Sequence, residues 1–100
     1  MLIACRFTTG ADSGGSPALE YDYDGRIQLA LTEGSPDLYV LNVGIYKRLL
    51  SAVVSHNLAA SVNITVTGSA SAGTITLSNT ANALASATVD VIVAVQIAEN

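Results

Sequence analysis

Charge is what this chain is shortest of. Only 12% of its 100 residues are Asp, Glu, Lys or Arg, about half the ~25% usual in soluble domains. None of them falls between Leu49 and Val89. The basic residues are Arg6, Arg26, Lys47 and Arg48 alone, and the net charge is −4. Nucleic-acid binding needs a basic stripe that displaces counterions from phosphates, and an anionic membrane surface needs a polybasic patch, so neither partner is expected. Cys5 is the only cysteine, which excludes an intrachain disulfide and a zinc site built from several thiolates. His56 is the only histidine, with no second ligand beside it. The longest strongly apolar run is Val91 to Val95, far short of the roughly 20 residues that cross a bilayer as a helix. No Gly-rich phosphate loop ending in Gly-Lys-Ser/Thr is present, and tryptophan is absent. No metal and no cofactor is expected.

What fills the chain instead is Ala, Ser, Thr and Val, with 50% of residues in the hydrophobic set. Such β-branched, weakly charged sequence is not that of a disordered segment, and the length fits a single domain over 1–100. A domain this small has much surface and normally covers it with charge. This chain has too little charge to do so, which predicts that part of its apolar surface is covered by other subunits.

Period-2 alternation marks the strands. Leu2 to Thr8 places Ile3, Cys5 and Phe7 on one face. Leu2-Ile3-Ala4-Cys5 also matches the four-residue signal of bacterial lipoprotein processing, but without the basic and apolar segments that precede such a site. Cys5 therefore reads as a small buried hydrophobe. Gly10 to Pro17 is a loop. Leu19 to Tyr23 and Arg26 to Thr32 flank Asp24-Gly25, a strong two-residue turn signal that predicts a hairpin. Gly34-Ser35-Pro36-Asp37 punctuates another turn before a strand over Leu38 to Asn42.

Gly44 to Asn57 reads as the one amphipathic helix, with Ile45, Leu49, Ala52 and Val53 at i, i+4, i+7 and i+8. His56 would stand in its last turn, in a structural role. Ser61 to Thr67 and Gly73 to Ser78 alternate cleanly and predict a second hairpin. Asn79 to Thr88 is Ala-rich and ambiguous between loop, short helix and weak strand. Thr88 to Ala98 is a long last strand with Val89, Val91, Val93, Val95 and Ile97 on one face. Its other face is also largely apolar, so the strand is central or covered by a neighbour. The sum is a mostly β chain of about seven strands and one helix over about 44–57, as a β-sandwich or flattened barrel.

No constellation assembles a catalytic centre. Gly10-Ala11-Asp12-Ser13-Gly14-Gly15-Ser16-Pro17 resembles the nucleophile loop of trypsin-like serine proteases, Gly-Asp-Ser-Gly-Gly-Pro. Ala11 and Ser16 interrupt the pattern, and the only histidine lies downstream of Ser13, so a flexible Gly/Ser loop is the better reading. Asp22, Asp24, Gly25 and Glu33 share part of a calcium-loop spacing, but Ile27 stands where that loop requires glycine. A turn is favoured there too. Thr65, Thr67, Thr74 and Thr76 form a threonine array of ordinary strand chemistry. The chain is not expected to be an enzyme. Tyr21 and Tyr23, alternating with Asp22 and Asp24, suit an interface anchor or, alternatively, a small ligand- or glycan-binding face.

In its Ala/Ser/Thr/Val richness, scarce charge, lack of cofactor motifs and long last strand Val89 to Ala98, the chain resembles the small β-rich structural proteins of tailed bacteriophages, notably capsid decoration or cement proteins. The resemblance implies a non-catalytic virion protein, made in the host cytoplasm, whose trimers sit on a larger protein shell and stiffen it. On this reading the partners are further copies of the chain, trimer favoured, and that shell. The expected interface residues are Tyr21, Tyr23, Tyr39, Ile92, Ala94 and Ala98.

Overall fold

The computed structural model describes residues 1–10, 17–22, 27–32, 37–81 and 83–97. Among these the chain forms eight strands: β1 (Leu2–Thr8), β2 (Ala18–Asp22), β3 (Gln28–Thr32), β4 (Asp37–Asn42), β5 (Tyr46–His56), β6 (Thr65–Ser69), β7 (Thr74–Asn79) and β8 (Thr88–Ile97). They make two antiparallel four-stranded sheets, β2-β1-β8-β5 (sheet A) and β3-β4-β7-β6 (sheet B). The arrangement is sandwich-like, and the alternation read in the sequence becomes its inside and outside. Ile3, Cys5 and Phe7 of β1 and Val89, Val91, Val93 and Val95 of β8 face inward from sheet A. Tyr39 and Leu41 of β4 and Ile75 and Leu77 of β7 meet them from sheet B. The Phe7 and Tyr39 rings pack across the gap at 5.5 Å between centroids, tilted by 41°, a favourable aromatic geometry.

Two sequence expectations are overturned here. The helix over 44–57 is instead β5, an edge strand hydrogen-bonded to β8. Its register slips between Tyr46 and Arg48 and again between Leu49 and Ser51, each slip adding one residue to β5 opposite the same stretch of β8. The inward residues are therefore Tyr46, Leu49, Ala52, Val54 and His56. The first three stand three apart, and that spacing imitates a helical face. β-Branched Val53 and Val54 suit the extended conformation.

The hairpin across Asp24-Gly25 is the second correction. The turn residues lie outside the described residues, but the strands on either side join different sheets: β2 pairs with β1, and β3 with β4. The chain thus passes from sheet A at β2 to sheet B at β3, and the Ile27 N–H donates to Asp22 Oδ2 at 2.7 Å. The second expected hairpin does form, with Thr65 opposite Ser78 and Thr67 opposite Thr76, but its first strand is Thr65–Ser69 and not Ser61 to Thr67.

Among the described residues of the Ala-rich stretch 79–88, Leu84 plugs the core. Leu84 and Ala87 are buried, and side chains distant in sequence hold the segment. The Leu84 N–H donates to Asp37 Oδ2 at 2.8 Å and the Ala87 N–H to Thr9 Oγ1 at 2.8 Å. Asn79 Oδ1 accepts from the N–H groups of Ala81 and Ala83, while its Nδ2 donates to the Asn63 carbonyl. Backbone groups that could join no strand are satisfied this way, as burial requires.

At the β5–β6 side, the Tyr46 hydroxyl crosses from sheet A to donate to the Thr74 carbonyl at 2.9 Å. Gly68 leaves it room: a Cβ there would come within 2.6 Å of that hydroxyl. Burial raises the Tyr46 pKa, with a backbone hydrogen bond at Ser69 opposing.

Candidate functional site

The two sheets present different outer faces. On sheet B, β6 and β7 present hydroxyl groups, with Thr65, Thr67 and Ser69 of β6 exposed and Thr74, Thr76 and Ser78 of β7 half-buried, while β4 turns Leu38 and Val40 outward, also half-buried. Sheet A is apolar. Among the described residues the large exposed hydrophobics are Met1, Leu2, Tyr21, Ile45, Leu50, Val53, Ile92 and Ile97. Every one lies on a strand of sheet A or immediately before one.

Register gathers Leu2, Val53 and Ile92 on the outer face, whereas Met1 and Ile97 stand opposite the inward-facing Val95 and Tyr46. On the outer face Ile92 stands between Ala4 of β1 and Val53 of β5, and Ala94 stands between Leu2 and Ser51. Ile92 is 50% exposed, Val53 61% and Leu2 70%. One step along the strands the surface turns polar. Arg6 holds Asp90 through two hydrogen bonds, Nε to Oδ1 at 2.7 Å and Nη2 to Oδ2 at 3.1 Å. The Arg6 guanidinium also lies 5.8 Å from the centroid of the Tyr21 ring, within cation–π range. That hydrogen bonding, with the guanidinium's charge, holds the Asp90 carboxyl below the usual carboxylate range against a smaller opposing effect of burial. A shallow, open depression of about 430 Å³ lies on this face, lined by Ala4, Cys5, Arg6, Asp90, Val91 and Ile92.

Of the residues expected at an interface, Ile92, Ala94 and Tyr21 therefore share one face. Tyr39 does not: it is fully buried against Phe7, because β4 turns Tyr39 and Leu41 inward and leaves Leu38 and Val40 on its outer side. Tyr23 and Ala98 lie outside the described residues. Leu2, Leu50 and Val53 were missed by sequence reasoning. The helical spacing puts Val53 on a buried side, and only β5's extended register reveals that it abuts Ile92.

The other candidate chemistries fall out as follows. Asp22 Oδ2 is engaged by Ile27, whose side chain is in the core. Asp24, Gly25, Glu33 and residues 11–16 of the Gly/Ser loop lie outside the described residues. His56 ends β5, its Nδ1 accepting from the Leu58 N–H at 3.1 Å, so that Nε2 donates to the Val62 carbonyl at 2.7 Å. Both ring nitrogens thus serve the 57–62 turn. Cys5 is buried, and its thiol is pushed up to about 11 by that burial, with the charges of Asp22 and Asp90 adding to it. Among the described residues no three of His, Cys, Asp and Glu gather into a group that could hold a metal ion, and no helix is long and apolar enough to cross a membrane. The face is thus an exposed apolar row with the Arg6–Asp90 ion pair at its margin. No family model, no curated protein and no solved structure matches the chain.

Proposed function

We propose that this chain is a non-catalytic structural protein that associates with further copies of itself and stabilises a larger assembly, of the virion kind that its composition resembles. The observation that carries the reading is the apolar row Leu2, Ala4, Ile92, Ala94 and Val53, left uncovered on the outer face of sheet A. Exposed contiguous apolar surface marks contact sites, and burying it stabilises the contact by roughly 25 cal/mol per Å² of apolar area, before association entropy is subtracted. The test is the native mass by light scattering across a dilution series, for the wild type and for Ile92→Glu. The expected result is a species above the 10.2 kDa chain mass that Ile92→Glu dissociates without loss of fold. A wild type that stays at the chain mass at every concentration would overturn the reading.

A ligand- or glycan-binding face is the second reading. It is favoured by the half-exposed Tyr21 ring beside the planar Arg6–Asp90 pair. Glycan binding lost on Tyr21→Ala, with native mass unchanged, would select it.

A further inference from the structure

We propose that the outer face of sheet A is covered by the same face of a second copy, related by a two-fold axis lying in the plane of contact. This deepens the assembly reading above and rests on it. Two observations point to the second copy rather than to another occupant.

The first is the distribution of apolar surface. Among the described residues all large exposed hydrophobics belong to sheet A or the residue before one of its strands, while the strands at the open side of sheet B carry Thr and Ser outward. A head-to-tail contact joins two different patches and would need a second apolar one. Among the described residues only sheet A carries large exposed hydrophobics, the outward Leu38 and Val40 of β4 being half-buried, so the match of this patch is itself, and a self-matching patch generates a two-fold.

The second is the placement of charge. Lys47 and Arg48 are exposed at the start of β5, Arg48 opposite Gln96. The ammonium of Met1 is at the same end of the sheet, donating to the Val95 carbonyl at 2.8 Å. Glu20, exposed in β2 at the register shift beside Tyr21, marks the opposite edge and the opposite end. There Asp90 is held by Arg6, and the exposed Glu20 adds the acidic charge. The described face thus has a basic corner and an acidic corner on one diagonal, with the apolar row between them. Rotation by 180° about an in-plane axis across that diagonal lays basic on acidic at both corners and apolar on apolar at the centre. The strands of the two copies then cross steeply, near the orthogonal class of sheet packing.

Size sets the strength. Four strands at ~4.8 Å and six or seven residues at ~3.4 Å give on the order of 400 Å² of plane per copy. The two copies together fall short of the ~1,200–2,000 Å² of a stable standard interface. The pair is therefore expected to be reversible and to dissociate on dilution.

The experiment is sedimentation equilibrium on wild type, Ile92→Glu, Glu20→Lys, Lys47→Glu with Arg48→Glu, and the three charge reversals combined, with far-UV circular dichroism checking each fold. The expected result is a wild-type monomer–dimer equilibrium, weakened about tenfold or more by either set of charge reversals alone, each of which places like charges together. Combining all three exchanges the corners and restores the wild-type constant to within about threefold, because a two-fold contact is indifferent to which corner carries which sign. If Ile92→Glu dissociates the oligomer but the combined reversals do not recover it, or if the wild type is a trimer, the two-fold is overturned while the assembly reading stands. A wild type that is monomeric throughout removes both.

Discussion

The backbone of Gly73 lies directly on that of Gly44: a Cβ on Gly73 would come within 2.6 Å of the Gly44 carbonyl carbon and 2.9 Å of its oxygen. The Val43 N–H donates to the Gly73 carbonyl at 2.8 Å, locking the chain's exit from β4 onto the β6–β7 turn. Both glycines have positive φ, +70° at Gly73 and +84° at Gly44, but nothing lies within 4 Å of a Cβ on Gly44. Gly44→Ala therefore bears only the left-handed cost, about 1–2 kcal/mol, whereas Gly73→Ala adds a clash with backbone that cannot move aside. Urea unfolding should rank Gly73→Ala well below Gly44→Ala, with Gly44→Asn close to wild type. Equal losses at the two positions would contradict the close approach.

Leu84 and Asp37 should fail as a unit. Leu84→Ala empties a fully buried site and is expected to cost about 2–5 kcal/mol. Asp37→Ala leaves the buried Leu84 N–H without its acceptor, about 1–3 kcal/mol. Leu84→Ala keeps the backbone N–H that Asp37 accepts, so the coupling is positional: without Asp37 the segment that seats Leu84 is loosened, and the double variant should lose less than the sum. Strict additivity in a double-mutant cycle would show that Asp37 does not hold the plug.

The Cys5 thiol, at about 11, is roughly one part in a thousand thiolate at pH 8. Iodoacetamide should leave it unmodified in the folded protein and label it fully in urea. Rapid labelling under native conditions would mean that β1 opens away from the core.

The Arg6–Asp90 pair gives a small pH dependence of known sign. The Asp90 carboxyl is lowered in the fold, first by its hydrogen bond to Arg6. Its contribution is full above the ordinary carboxylate pKa and disappears as pH falls through the lowered folded value. With both side chains about two-fifths exposed, screening limits it to about 1 kcal/mol or less. Asp90→Asn should therefore be slightly less stable than wild type at pH 7 and indistinguishable from it near pH 2, as read by urea midpoints. A gap that persists or widens in acid would assign the loss to packing instead.

Strands with one decisively apolar face were legible in the sequence. β1 and β8 emerge where alternation puts them, and the outward placement of Ile92 and Ala94 followed from the stronger valine row beside them. Tyr39 was not legible because Leu38 and Val40 rival Tyr39 and Leu41 as an inner face, and a sequence with two apolar faces does not name the buried one. The turn at Asp24-Gly25 signals a reversal of direction, not which sheet the next strand joins. β5 escaped recognition because two extra residues broke its period. The plug at Leu84 left no periodic trace, since what fixes it are side chains 47 and 78 positions away along the chain. Half of the candidate face was visible in β8. The half supplied by Leu2 and Val53 needed the register between strands.

The register shifts of β5 also govern how the protein can aggregate. Both outer ladders of sheet A are irregular, β5 on β8 and β2 on β1, while the ladders inside sheet B run without interruption. An incoming strand seeking to extend sheet A would meet an edge whose hydrogen-bonding groups fall out of step twice in the first half of β5 and once in β2, a poor template for a fibre. At sheet A a chain with so little charge to repel its neighbours is thus guarded by irregular ladders in place of charge.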